Sequence, residues 1–151
     1  TVEDFWRFKN SLPAPSDIFF TVNSPKMKFT DREVDGYSLF KKGIRPEWED
    51  PANRNGGELF CRKTIDSRDL DLVYETLLLG MIGETIDDGD DICGCRIVDK
   101  SRNGRPLYRI ELWFKRDEEN VKEYLKKNVH QVLRRFLLTE HRSHRSQGYN
   151  K

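Results

Sequence analysis

The chain has 151 residues, which suits one domain with one sizeable core. Its 27 Lys and Arg against 26 Asp and Glu leave a net charge of +1, which excludes a protein that coats nucleic acid by charge alone and leaves room for a local basic patch. Charged residues make up 35%, no apolar run reaches the ~18 residues of a membrane helix, and no basic-then-apolar leader follows Thr1, so cytoplasmic or nuclear residence is expected.

In chain order, "TVEDFW" opens with Thr1 followed by Asp4, the spacing of a capping box, and predicts a helix from about Val2 to Leu12 that Pro13 and Pro15 end. "IFFTV", Ile18 to Val22, reads as a short strand inside a long polar connection. "YSLF" and "ELFCRKTI" read as strands on either side of the loop "GIRPEWEDPANRNGG", where Pro46, Pro51 and a glycine pair exclude regular structure around Trp48. A second helix runs from Ser67 or Asp69 to Gly83, with Leu70, Val73, Tyr74, Leu77, Leu78 and Met81 as its core stripe. Leu72, Thr76, Leu79 and Gly83 line the opposite face, where charges are usual, which leaves open a cover by a partner, a second layer of the same domain, or isolated exposed leucines. "DDGDD", Asp87 to Asp91, is read as an acidic turn because it lacks the spacing of a calcium loop.

"ICGCRIVDK" and "LYRIELWFK", separated by the turn pair Asn103-Gly104, predict an antiparallel hairpin. Parity sends Tyr108, Ile110 and Leu112 to the core and Arg109, Glu111, Trp113 and Lys115 to the other face, so Trp113 is expected to be exposed among charges. The last helix starts near Asp117 or Glu118, with Val121, Tyr124, Leu125, Val132 and Phe136 as its stripe and Lys127, His130 and Arg134 on a solvated face. The closing "HRSHRSQGYNK" is polar and reads as a mobile tail.

Cys61, Cys93 and Cys95 are an odd count, ill suited to a disulfide framework, and His130, His141 and His144 lie far from "ICGC" in sequence, so reduced thiols are expected and no metal site. No catalytic constellation or cofactor loop appears, so an enzyme is not expected. A ligand-shaped set does appear. Trp48 and Trp113 offer π faces, Glu49 offers two acceptor oxygens, and Lys100, Arg102, Arg105 and Arg109 cluster around the hairpin. A flat cationic base with an N–H edge and a phosphate chain, such as a 7-methylguanine nucleotide, suits that set.

The same residues carry a family resemblance. "TVEDFW", "YSLFKKGIRPEWEDPANRNGG" and "LLLGMIGETIDDGDDICG" resemble eukaryotic translation initiation factor 4E, the messenger-RNA cap-binding family, from Thr1 to about His144. The resemblance implies an α+β fold: a curved antiparallel sheet with three helices packed on its convex face, forming a single domain over 1–144 with a flexible tail over 145–151. It implies cap binding by Trp48 (stacking), Glu49 (guanine edge), Trp113 (the N7 methyl), Arg109 and Lys100 or Arg102 (phosphates) and His144 (rim). It also implies that Val2, Trp6, Glu75, Leu79 and Gly83 take a helical motif of an initiation factor 4G-like scaffold or of 4E-binding proteins.

Departures accompany the match. The family's strands before "TVEDFW", which lead in from a second stacking tryptophan, have no counterpart in this sequence. Three readings stay open: the segment was removed, Phe19, Phe20 or Phe29 substitutes, or this member binds caps poorly. Glu75 and Thr76 stand where the family has Leu then Glu, and Glu58 stands where many members have a basic residue near the phosphates. Two functions follow: a cap-binding factor that recruits a scaffold, or an interaction module on the same fold with weak or no cap affinity that represses translation or competes for the scaffold.

Overall fold

The computed structural model describes residues 1–19, 31, 33–134 and 138–146. Helix α1, Val2–Ser11, starts at the predicted capping box: Thr1 Oγ1 accepts from the Asp4 backbone N–H at 3.1 Å, and the Asp4 carboxylate reaches back to the Thr1 nitrogen. The predicted strand at Ile18 does not form. Ile18 and Phe19 close a short helix, α2, Pro15–Phe19, and the rest of that stretch lies outside the described residues. The cause is local. Pro15 pre-sets a helical first position, Asp17 accepts from the Ala14 N–H at 2.9 Å, and Ser16 N donates to Asp71 at 2.9 Å. Ile18 and Phe19 are thereby buried against the core, with Phe19 against Tyr108. Phe19 is not a substitute stacking residue; Phe20 and Phe29 lie outside the described residues.

Five strands follow: β1, Gly36–Phe40; β2, Gly57–Lys63; β3, Ile92–Asp99; β4, Tyr108–Phe114; and β5, Glu140–Ser143. They form one open antiparallel sheet in the order β1-β3-β4-β2-β5. The β3–β4 hairpin is as predicted, and Asn103 (φ 52°) and Gly104 (φ 74°) take the left-handed geometry its turn requires.

Helix α3, Ser67–Ile82, is capped by Asp66, whose side chain accepts from the Asp69 N–H at 2.8 Å. It buries Leu70, Val73, Tyr74, Leu77 and Leu78 against the sheet face that carries Leu59, Cys61, Cys95, Ile97, Ile110 and Leu112. Helix α4, Glu119–Leu133, buries Val121, Leu125, Val129 and Leu133. Tyr124 of its predicted stripe is instead exposed, donating its hydroxyl to Asp88 at 2.8 Å, and Phe136 lies outside the described residues. His130 is not fully solvated, since its Nε2 meets the Leu138 carbonyl at 3.1 Å. The architecture is the expected α+β one, with the helices on one face of the curved sheet; α2 adds a short fourth to the expected three. No described helix is long and apolar enough to cross a membrane.

The first residues of the polar stretch, His141 to His144, are not a mobile tail. Glu140–Ser143 pair with β2 in the register Glu58↔Arg142 and Leu59↔His141. Such an edge strand needs only backbone partners, and its side chains are tied down by charge: Arg142 to Glu58, and His141 Nε2 to Asp117 at 2.8 Å. The acidic turn is a latch. Asp87 accepts from the N–H groups of Gly89, Asp91 and Ile92 at 2.9–3.0 Å, Asp90 pairs with Lys41 and Lys115, and Asp91 with Arg116. Among the described residues no metal-holding group of His, Cys, Asp and Glu forms. The three cysteines are free and buried, and burial pushes the Cys61 thiol up to about 11 and those of Cys93 and Cys95 to about 12.

Candidate functional site

The loop between β1 and β2 is built around two buried polar residues, Asp50 and Asn53. Asp50 accepts from the backbone N–H groups of Arg45 and Ala52, each at 3.0 Å, which holds its carboxyl below the usual carboxylate range. Asn53, fully buried, donates both protons of its amide nitrogen, to the carbonyls of Arg45 (2.7 Å) and Glu47 (2.8 Å). Gly56 then carries the chain over β4, where a Cβ would stand 1.7 Å from the Phe114 carbonyl oxygen. The loop thus holds Trp48 half-buried and Glu49 exposed at the mouth of a cavity of about 230 Å³.

The inner wall of that cavity includes Trp113, Glu58 and Arg142, which share one row of the sheet with Phe40 and Gly94, Phe40–Gly94–Trp113–Glu58–Arg142, read straight across the register. Gly94 is required there. A Cβ would come within 2.5 Å of the Phe40 ring and 2.4 Å of the Leu39 carbonyl, so the glycine leaves room for Phe40 to meet Trp113 edge-on at 5.3 Å. His144, the first residue after β5, packs on Trp113 from the other side at 4.5 Å. Its Nδ1 donates to the Asn53 carbonyl at 2.8 Å, and its backbone N–H to the Gly56 carbonyl at 2.9 Å. The loop, β4 and the chain end are therefore locked to one another at the cavity.

Parity placed Trp113 on the correct face but misjudged its exposure: only 3% is accessible. Its cover is ionic. Trp113 Nε1 donates to Glu111 at 2.8 Å, and the Arg96 guanidinium, 2.9 Å from the same carboxylate, lies over the indole at 5.1 Å. Glu111 also faces Arg109 Nε at 2.9 Å, and Arg109 bonds Glu58, which Arg142 Nε meets at 2.8 Å. An alternating ladder, Arg96–Glu111–Arg109–Glu58–Arg142, so crosses the front of the sheet, with Phe60 beneath Arg109 at 3.9 Å. Burial would raise the Glu58 carboxyl, but His144, Arg142 and Arg109 outweigh it and hold it below the usual range.

The structure brings together Trp48, Glu49, Trp113 and His144 around one cavity. Lys100 and Arg102 line another, of about 830 Å³, with Arg62, Arg105 and Arg109. Arg109 is buried between the two and already engaged by carboxylates. Sequence reasoning missed Arg96, Arg142 and Glu111 as members of the site. Arg96 had a signal, since its parity opposes the core residues Cys95 and Ile97; Arg142 had none until β5 was known.

On the helical side, Val2 and Leu79 are more than half exposed, as is Leu72. Trp6 is half-buried, edge-on to Phe5 at 5.3 Å, with the Lys9 ammonium over its ring at 5.6 Å. Lys9 pairs with Glu75 at 2.9 Å, tying α1 to α3, and Gly83 caps the C-terminus of α3. The five expected partner residues therefore lie along neighbouring stretches of two linked helices.

The profile of the family described as Eukaryotic initiation factor 4E matches residues 1–150. The chain is 38% identical over 114 residues to Eukaryotic translation initiation factor 4E1 of Drosophila melanogaster, covering 75% of this chain and 38% of that protein. It is 35% identical over 135 residues to Eukaryotic translation initiation factor 4E-2 of Schizosaccharomyces pombe, covering 88% of this chain and 49% of that protein. It thus spans half or less of the length of these relatives. Among solved structures, C. elegans eIF4E-3 in complex with the 4E-binding protein Mextli is similar at TM-score 0.75 and 26% identity, over 99% of this chain and 79% of that one. Ascaris suum eIF4E-3, solved with m7G cap, is similar at TM-score 0.69 and 30% identity, over 89% of this chain and 67% of that one.

Proposed function

The chain belongs to the eukaryotic initiation factor 4E family, and from that premise we propose that it is a binding protein, not an enzyme, that holds the 7-methylguanosine 5′ cap of messenger RNA and hands the message to a scaffold. The observation that carries this reading is the joint placement of Trp48 and Glu49 at the mouth of one cavity, on a loop braced by Asp50 and Asn53. An N7-methylated guanine is a cation, and stacking it on the Trp48 indole contributes about 2 kcal/mol where water is excluded. The Glu49 carboxylate then accepts from N1–H and N2–H of the base edge, bonds strengthened by the ring charge. Trp113 and His144 supply the wall, and Lys100 and Arg102 offer charge to the phosphate chain or the nucleotides beyond it. The strip of exposed Val2, Glu75, Leu79 and Gly83 with half-buried Trp6 takes an amphipathic helix of a 4G-like scaffold or a 4E-binding protein. The structural neighbours captured with a cap and with Mextli support both halves of this reading.

Intrinsic tryptophan fluorescence tests it. Addition of 7-methyl-GTP should quench strongly and GTP weakly, and Glu49→Ala should abolish the response while leaving binding of a helical partner peptide intact. A second reading, an interaction module with weak cap affinity, draws on one observation: Trp113 is sealed, with the Arg96 cation already over its ring. Peptide binding without any response to 7-methyl-GTP would favour it over the first.

A further inference from the structure

Glu58 stands between the two front cavities. It lines the one that carries Trp48, together with Arg142, while its other arginine, Arg109, lines the basic one. Its side chain is almost wholly buried, and one oxygen, Oε1, takes donors from both guanidinium groups. Two converging guanidinium groups are a natural cradle for a phosphate, because their fork geometry matches its oxygens. Here that cradle already holds a carboxylate supplied by β2. The neighbouring rung repeats the arrangement, with Glu111 between Arg96 and Arg109. A phosphate approaching Arg109 or Arg142 must therefore displace Glu58 or share its donors, against the repulsion of a buried negative charge.

We propose that Glu58 is a built-in anion that holds the place of a ligand phosphate between Arg109 and Arg142, and so makes the site select the methylated base while gaining little from the phosphate chain. The selectivity half of this proposal rests on the cap-binding reading; the anion half does not. Glu58 is on this view a specificity-determining residue, and the cations left to greet phosphates are those at the rim, Arg62, Lys100, Arg102 and Arg105, where water and salt weaken each contact.

The experiment compares 7-methylguanosine mono- and triphosphate by fluorescence quenching, and inorganic tripolyphosphate by thermal shift, on the wild-type chain, Glu58→Gln and Arg142→Gln. In the wild type the triphosphate should bind within about threefold of the monophosphate, the scale of a screened ionic contact. In Glu58→Gln the triphosphate advantage should widen to about tenfold or more, as two charge-assisted contacts become available. In Arg142→Gln, which leaves Glu58 under-compensated, the advantage should vanish or reverse. Tripolyphosphate should raise the melting temperature of Glu58→Gln and leave the wild type unmoved. A wild type that already prefers the triphosphate by about tenfold, or that tripolyphosphate stabilises as much as it does Glu58→Gln, overturns the proposal. Should Glu58→Gln not fold, the wild-type comparison and the Arg142→Gln reversal still decide it. If no methylated nucleotide quenches but tripolyphosphate separates Glu58→Gln from the wild type, the cap reading fails and the built-in anion stands.

Discussion

Asn53 is where a small change should have the most legible effect. Its side chain makes two neutral hydrogen bonds, to the carbonyls of Arg45 and Glu47, and is completely buried. At about 1 kcal/mol net for each bond, Asn53→Ala should cost about 2 kcal/mol. For a chain of this size that lowers the melting temperature by about 4–8 °C. Asn53→Asp is the sharper probe. It keeps the shape but turns the donor into a charged oxygen facing two carbonyls, with the Asp50 carboxylate nearby, so it should cost about 3 kcal/mol or more. Both variants should weaken quenching by 7-methyl-GTP, because the loop they loosen carries Trp48 and Glu49. The measurements are urea denaturation followed by far-ultraviolet circular dichroism and the nucleotide titration. If Asn53→Asp proves as stable as the wild type, the loop is not held by that amide. If both variants are destabilised yet bind the nucleotide unchanged, the loop does not position the site.

Other outcomes follow from the same geometry. Gly94→Ala places a methyl group against the Phe40 ring and the Leu39 carbonyl, so it should cost about 1–3 kcal/mol by overpacking and change Trp113 emission; a spectrally silent variant would contradict the row described above. The carboxyls of Asp50, Glu58, Asp90 and Asp91 are all held low in the folded chain, so the stability they confer is present above the ordinary carboxylate range and lost as pH falls through their folded values. Melting temperature should be flat from neutral pH to about 5 and drop below about 4, and a rise on acidification would refute the sign. Leu79→Ala and Trp6→Ala should weaken a helical partner peptide, by fluorescence polarisation, without altering nucleotide quenching; a parallel loss of both would mean the two faces are not independent.

Elements whose side chains alternate or repeat in register were readable from the sequence. The α3 stripe, the capping box at Thr1 and the Asn103-Gly104 hairpin all appeared where local chemistry put them, because each is decided within a few residues. The Trp48 loop was legible as a site but not as a structure. Asp50 and Asn53 serve it through backbone groups, and no pattern of residue types announces that. Trp113 was sent to the correct face and its exposure misjudged, since its cover comes from Arg96 and His144, residues on other strands or beyond them. The charge ladder was invisible for the same reason: its five members come from β2, β3, β4 and β5, and only the sheet order makes them neighbours. Ile18 and Phe19 have strand-like composition, yet Pro15 and the long-range contacts of Ser16 to Asp71 make helix the better solution.

The cavity wall depends on contacts that close across most of the chain. His144 reaches back 91 positions to Asn53, and Arg142 reaches back 84 to Glu58. Contacts that span such loops carry a large closure entropy and tend to form after the local ones. During synthesis the braced loop and the β3–β4 hairpin can emerge and pair long before β5 exists. The wall of the pocket, by contrast, waits for β5 and His144 to clear the ribosome. A chain stalled before β5 emerges would carry Trp48 and Glu49 on a sheet without its edge, with Glu58 short of one arginine and Trp113 uncovered on one side. Emergence of β5 is thus itself a checkpoint on the binding surface, imposed by topology alone.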